Sequence, residues 1–172
     1  SDRGLYRTID GGQQWEKVLF INDSTGIIDL AIHPTNSEII YAAAWQRVRT
    51  AYRRAYGGPS SGIYKSQDGG DTWQELVSGL PEAAGRIGIT ISPVDPDILY
   101  ALYEDESNGY LKGIYRSNNN GNTWETRSLA GITDPPYSYW FGKIIADPID
   151  TNTVYLTSLD LYKSTNGGMI WN

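Results

Sequence analysis

One eleven-residue pattern occurs four times in this chain and restricts the available folds more than any other feature. Residues 5–15, 63–73, 114–124 and 161–171 align without gaps as apolar-Tyr-basic-[Ser/Thr]-x-[Asp/Asn]-x-Gly-x-x-Trp. Successive tryptophans, Trp15, Trp73, Trp124 and Trp171, are 58, 51 and 47 residues apart (73−15, 124−73, 171−124). A period near 40–50 residues plus variable loops is that of a four-stranded propeller blade.

A second element recurs between the boxes. Leu30-Ala31-Ile32-His33-Pro34 precedes Ile39-Ile40-Tyr41-Ala42, Ile89-Thr90-Ile91-Ser92-Pro93 precedes Ile98-Leu99-Tyr100-Ala101, and Ile144-Ile145-Ala146-Asp147-Pro148 precedes Val154-Tyr155-Leu156. Each reads as a short strand, a Pro-containing turn rich in Asn and Asp, and a second strand. The order per unit is strand A, turn, strand B, loop, strand C, box turn, strand D. This predicts an all-β propeller fragment of about three blades: a partial blade (strands C and D) in 1–20, blades in 21–80 and 81–133, and a blade lacking its last strand in 134–172. Three blades cannot close a ring, so the rest of the propeller or another protein chain must complete it. The 13 Tyr, 6 Trp and 19 Gly fit many half-buried strands joined by tight turns.

The box has a local logic. A tight hairpin between strands C and D leaves turn amides in need of acceptors. A side-chain oxygen at Asp10, Asp68, Asn119 and Asn166 supplies one, as in an Asx turn. The hydroxyls of Thr8, Ser66, Ser117 and Ser164 add a bond across the turn. Gly12, Gly70, Gly121 and Gly168 permit positive φ, and the tryptophan opens strand D beneath the turn. These residues are structural on this reading, and Asp10 and Asp68 resemble catalytic carboxylates only when the repeat is ignored.

The four boxes resemble Asp-box, or bacterial neuraminidase, repeats. Paired with the apolar-Pro-turn-apolar element, they are most similar to sortilin-like propellers and to large exported bacterial proteins described as glycosyl-hydrolase-like. Sialidases, xyloglucan-cleaving glucanases and photosystem assembly factors share such blades. The resemblance implies a propeller and an extracellular, periplasmic or cell-surface location. It implies no single function. It places ligand sites on the face carrying the B–C and D–A loops.

The most unusual loop on that face is 45–59. It holds Trp45, Arg47, Arg49, Tyr52, Arg53, Arg54 and Tyr56, with four Arg and no acid in a chain of net charge −6. Arginine forks suit carboxylates, sulfates and phosphates, and aromatic faces suit sugars or a protein partner. The competing expectation pairs these Arg with Glu104, Asp105 and Glu106 of the next blade. On strand A, alignment on the proline puts Asp29, Gly88 and Lys143 at one position and Ile27, Arg86 and Phe141 at another. Arg86 and Lys143 are therefore anion-binding candidates or inter-blade partners of Asp29. The D–A loop from Asp134 to Trp140, with Tyr139 and Trp140, is an aromatic wall or a plug.

No catalytic residue is assigned. A glycosidase needs two carboxyls flanking the bond, about 5–10 Å apart, and nothing pairs Asp23, Asp29, Glu82 and Asp134. One His and no Cys make transition-metal catalysis unexpected, so neither metal nor cofactor is predicted. The acidic balance opposes nucleic-acid binding, and no apolar run is long enough for membrane insertion. The leading expectation is a non-catalytic binding or scaffold propeller that contacts a protein or a glycan through the B–C/D–A loop face. The alternatives are a glycoside hydrolase with part of its cleft here, and a purely structural segment of a surface assembly.

Overall fold

The computed structural model describes residues 2–52, 54–133 and 142–172. In chain order the strands are β1 (Leu5–Arg7), β2 (Glu16–Leu19), β3 (Thr25–Ile32), β4 (Ile40–Gln46), β5 (Val48–Arg49), β6 (Arg54–Ala55), β7 (Gly62–Ser66), β8 (Gln74–Leu76), β9 (Ile87–Ile91), β10 (Leu99–Glu104), β11 (Leu111–Ser117), β12 (Glu125–Arg127), β13 (Lys143–Ala146), β14 (Val154–Thr157) and β15 (Leu161–Ser164). The described regular structure is all β. The sheets are β1-β2, β3-β4-β7-β8, β9-β10-β11-β12 and β13-β14-β15, antiparallel throughout, with β5-β6 a separate ribbon between β4 and β7. Beside β15, Lys163 and Asn172 exchange both backbone hydrogen bonds. In the earlier sheets the residue after the box tryptophan pairs in the same way: Glu16 with Arg7, Gln74 with Lys65, Glu125 with Arg116.

The core lies in the seams between sheets. One cluster joins Ala31, Tyr41, Ala43 and Ile63 to Ile87, Ile89, Leu99 and Tyr103 of the next sheet. A second joins Tyr100, Leu102 and Ile114 to Ile144, Val154, Leu156 and Trp171. Strand alternation explains this: each sheet is apolar on both faces because it has a neighbour on each. Where the neighbouring sheet is only partial, as β1–β2 is beside β3, the same positions are open. Leu30, Ile89 and Ile144 are equivalent, yet they are 45%, 4% and 2% exposed.

Two polar devices recur at the seams. Tyr41 faces Lys65, Tyr100 faces Arg116 and Tyr155 faces Lys163 across neighbouring strands, each cation 5.5 Å from its ring centre. The cation then reaches the following box turn: Arg7 Nη1 donates to Gly69 O (2.9 Å) and Lys65 Nζ to Asn120 O (2.8 Å). Tyr41 Oη also donates to Asn120 O, at 3.0 Å. The second device joins the backbone of the third and fourth box tryptophans to the end of the preceding sheet. The N–H of Trp124 donates to Ser78 O (3.0 Å) and that of Trp171 to Ala130 O (2.9 Å). The adjoining Gly79 has φ +81°, and a Cβ there would lie 2.0 Å from Trp124 O. Only glycine allows that approach.

Candidate functional site

The box turns fold as hydrogen-bonded cages. In the second, Ser66 Oγ donates to Asp68 Oδ1 (2.8 Å) and accepts from the Gly70 N–H (2.8 Å). Asp68 then accepts the Thr72 N–H on Oδ1 (2.8 Å) and the Thr72 hydroxyl on Oδ2 (2.5 Å). The first box repeats this through Thr8, Asp10 and Gly12, the third through Ser117, Asn119 and Gly121, and the fourth through Ser164, Asn166 and Gly168. Trp15, Trp73 and Trp124 each donate their indole N–H to the box glycine carbonyl, whereas Trp171 donates to Ser128 O. These donors favour the ionised acid. The Thr72 hydroxyl and amide hold Asp68 down to about 2, and the Gln14 amide with the Thr8 hydroxyl lowers Asp10. These carboxylates are spent on their own turns.

On the opposite loop face, 45–59 is more ordered than a plain loop. β5 and β6 pair Val48 with Ala55 and Arg49 with Arg54. Trp45 Nε1 donates to Tyr56 O (2.6 Å) and Arg47 Nη1 to Ala55 O (3.0 Å). The Arg47 guanidinium stands 5.2 Å from the Trp45 ring and 5.6 Å from the Tyr56 ring, and Arg54 stands 4.7 Å from Tyr56. Tyr52 at the tip is fully exposed. The base is fastened to the next sheet by the Gly58–Ala84 bridge. The structure thus brings Trp45, Arg47, Arg49, Tyr52 and Arg54 together on one ribbon.

Two of the expected acid partners bond within their own loop. Glu106 pairs with Lys112 at 2.7 Å, and Asp105 accepts from the Ser107 and Asn108 amides of its own turn. The Ser107 contacts hold Asp105 below the ordinary carboxylate range. Glu104 is fully buried at the end of β10, where its N–H donates to Arg86 O (3.0 Å). Nearer the axis, Asp29 sits at an irregularity in β3, accepts the Ile89 N–H (3.3 Å) and lies 3.8 Å from Lys143 Nζ. Gly88 occupies the matching position of β9, where a Cβ would make only ordinary contact, 3.8 Å from Asp29 Oδ2. Arg53, Tyr139, Trp140 and the rest of the 134–141 segment, Asp134 and Phe141 included, lie outside the described residues.

Sequence comparison matches residues 3–133 to the Sortilin-Vps10 family, described as sortilin, neurotensin receptor 3. The chain belongs to the Sortilin-Vps10 family. This Sortilin-Vps10 chain is also 28% identical to xyloglucanase Xgh74A of Acetivibrio thermocellus, over 98% of its own length and 22% of that protein's. It is therefore about a fifth as long as that relative. The GH74 enzyme of Niastella koreensis superposes with TM-score 0.66 at 25% identity, covering 99% of this chain and 26% of the enzyme. YCF48 from Cyanidioschyzon merolae shares the fold alone, with TM-score 0.54 at 15% identity over 89% of this chain and 38% of its own. These neighbours and the sheet order make the fold a β-propeller fragment.

Proposed function

We propose that this chain forms part of the ring of an extracellular or cell-surface glycoside-hydrolase-type propeller. Its β5–β6 ribbon supplies polysaccharide-binding surface, not the catalytic pair. The observation that carries this is the aromatic–guanidinium stack of Trp45, Arg47 and Tyr56, which is ordered by the ribbon's own backbone and ends in the fully exposed Tyr52. Pre-ordered rings bind sugars with little entropy left to lose. The kinship with xyloglucanases supports a glycan over a protein as the partner.

The test uses the full-length protein with soluble xyloglucan, reading binding by calorimetry and cleavage by reducing-end release. Tyr52→Ala should weaken binding several-fold, at roughly 1 kcal/mol for one stacked ring, with the melting temperature unchanged. A full-length protein that neither binds nor cleaves any polysaccharide overturns the proposal. The scaffold reading retains one support, that the family description names a receptor. It predicts a protein partner captured through the same ribbon.

A further inference from the structure

The strand that pairs with the first strand of a box keeps one register in three sheets. Tyr41 lies opposite Lys65, Tyr100 opposite Arg116 and Tyr155 opposite Lys163, and the apolar residue before each tyrosine lies opposite the box serine. These strands read Ile40-Tyr41-Ala42, Leu99-Tyr100-Ala101 and Val154-Tyr155-Leu156, that is, apolar-Tyr-[Ala/Leu]. In each the cation stands 5.5 Å from the tyrosine ring centre.

β1 and the residue after it present the same box residues, Tyr6, Arg7 and Thr8, but among the described residues β1 pairs with β2 alone. Its other edge offers backbone N–H and C=O groups to a further strand. Arg7 already holds the next box turn through Gly69 O and pairs with Asp71 and Glu16. The ring contact that the other three box cations make has no counterpart at Arg7 among the described residues. Beside this edge, Leu5, Val18, Leu30, Ile32, Ile40 and Trp73 line an apolar cavity of about 290 Å³. The two residues equivalent to Leu30 show what fills such a space. Ile89 is buried in a cluster with Tyr41 and Ala43, and Ile144 in one with Tyr100 and Leu102. Both partners come from the tyrosine-bearing strand of the preceding sheet.

We propose that the open edge of β1 takes an antiparallel strand of apolar-Tyr-[Ala/Leu] sequence, with its tyrosine opposite Arg7, supplied by the same polypeptide outside these 172 residues. The chain spans 22% of xyloglucanase Xgh74A and 26% of the Niastella koreensis enzyme, so relatives of this length carry many further strands. The inference does not depend on the polysaccharide reading.

A synthetic peptide of residues 86–104 supplies such a strand together with its own hairpin partner. Added to the 172-residue chain, it should bind and slow amide hydrogen exchange at residues 4–8. Changing the tyrosine of the peptide, Tyr100→Leu, should weaken binding roughly threefold, the size of a cation–ring contact, while Tyr100→Phe keeps most of the affinity. Equal binding of the Tyr100→Leu peptide, or binding that leaves exchange at residues 4–8 unchanged, overturns the proposal, because the apolar flank would then be merely adhesive. A second arm uses the full-length protein and needs no folding of the shorter chain. There residues 4–8 should be protected without peptide, and the peptide should not bind. Free exchange at those amides, or binding of the peptide to them, would mean the edge is left to solvent or to another molecule, and the proposal falls.

Discussion

Asp68 illustrates why a carboxylate in a repeat is not by itself a catalyst. Its two oxygens receive the Ser66 hydroxyl and the Thr72 amide and hydroxyl, all donors that favour the charge. With the folded value near 2 against an ordinary 3.8, the carboxylate stabilises the fold above the unfolded value. That contribution disappears as pH falls from about 4 through about 2. Asp10 acts in the same direction, whereas Asn119 and Asn166 make matching contacts with nothing to titrate. Asp68→Asn should therefore flatten the acid limb of a stability–pH curve measured by urea denaturation. Asn119→Asp should steepen it. An unchanged acid limb in the Asp68 variant would mean the turn is not held by its charge. The acceptor role of these positions was legible in the spacing of hydroxyl, acceptor and glycine. The conformation before the glycine was not. Gly11, Gly69, Asn120 and Gly167 all have positive φ, and Asn120 does so at 58° with a side chain, which an Asn-rich run does not announce.

Strands and turns were readable as elements because period-two patterning and Pro-Asn turns are local signals. The joints between elements were not, because each joins residues remote in sequence. The shared basic residue of the box pattern was visible four times, but its partner lies in the next turn: Lys65 meets Asn120, 55 residues on. Lys65→Met should cost about 1–2 kcal/mol by removing a mostly buried charged hydrogen bond. Lys65→Arg should cost less, since Arg7 fills the equivalent place against Gly69. The β5–β6 ribbon was likewise hidden in what read as a loop, because Val48-Arg49 and Arg54-Ala55 are too short to show alternation. Gly79 allows a sharper prediction. At Gly79→Ala, positive φ and a 2.0 Å approach to Trp124 O act together, for about 2–4 kcal/mol. At Gly11→Ala, φ is +73° with no atom within 4 Å of the added Cβ, for about 1–2 kcal/mol of backbone strain alone. Equilibrium denaturation of the two variants separates the clash from the strain, and equal losses would mean the seam at Gly79 yields.

A molecule whose core lies in its seams has no residue that is apolar for its own sheet alone. Position 30 shows this, since Leu30 is 45% exposed while its counterparts Ile89 and Ile144 are covered by the preceding sheet. Trp15 is 60% exposed while Trp124 and Trp171 are 5% and 1%. At the other flank Ile145 is 49% exposed, though Ala31 at the matching place is 7%. An exposed apolar face bounded by open strand edges is a template for association. The isolated 172-residue chain should therefore associate with rising concentration, measurable by light scattering. In that chain Leu30→Ser and Ile145→Ser should reduce association. In a full-length ring, which the relatives' greater length supports, the same changes fall inside seams. There each should cost about 2–4 kcal/mol, as large-to-small core substitutions do. Opposite signs in the two contexts mark a seam, because a solvent-facing position would be neutral in both. If neither substitution destabilised the full-length protein, these flanks would face solvent or a partner chain, and the ring would close without covering them.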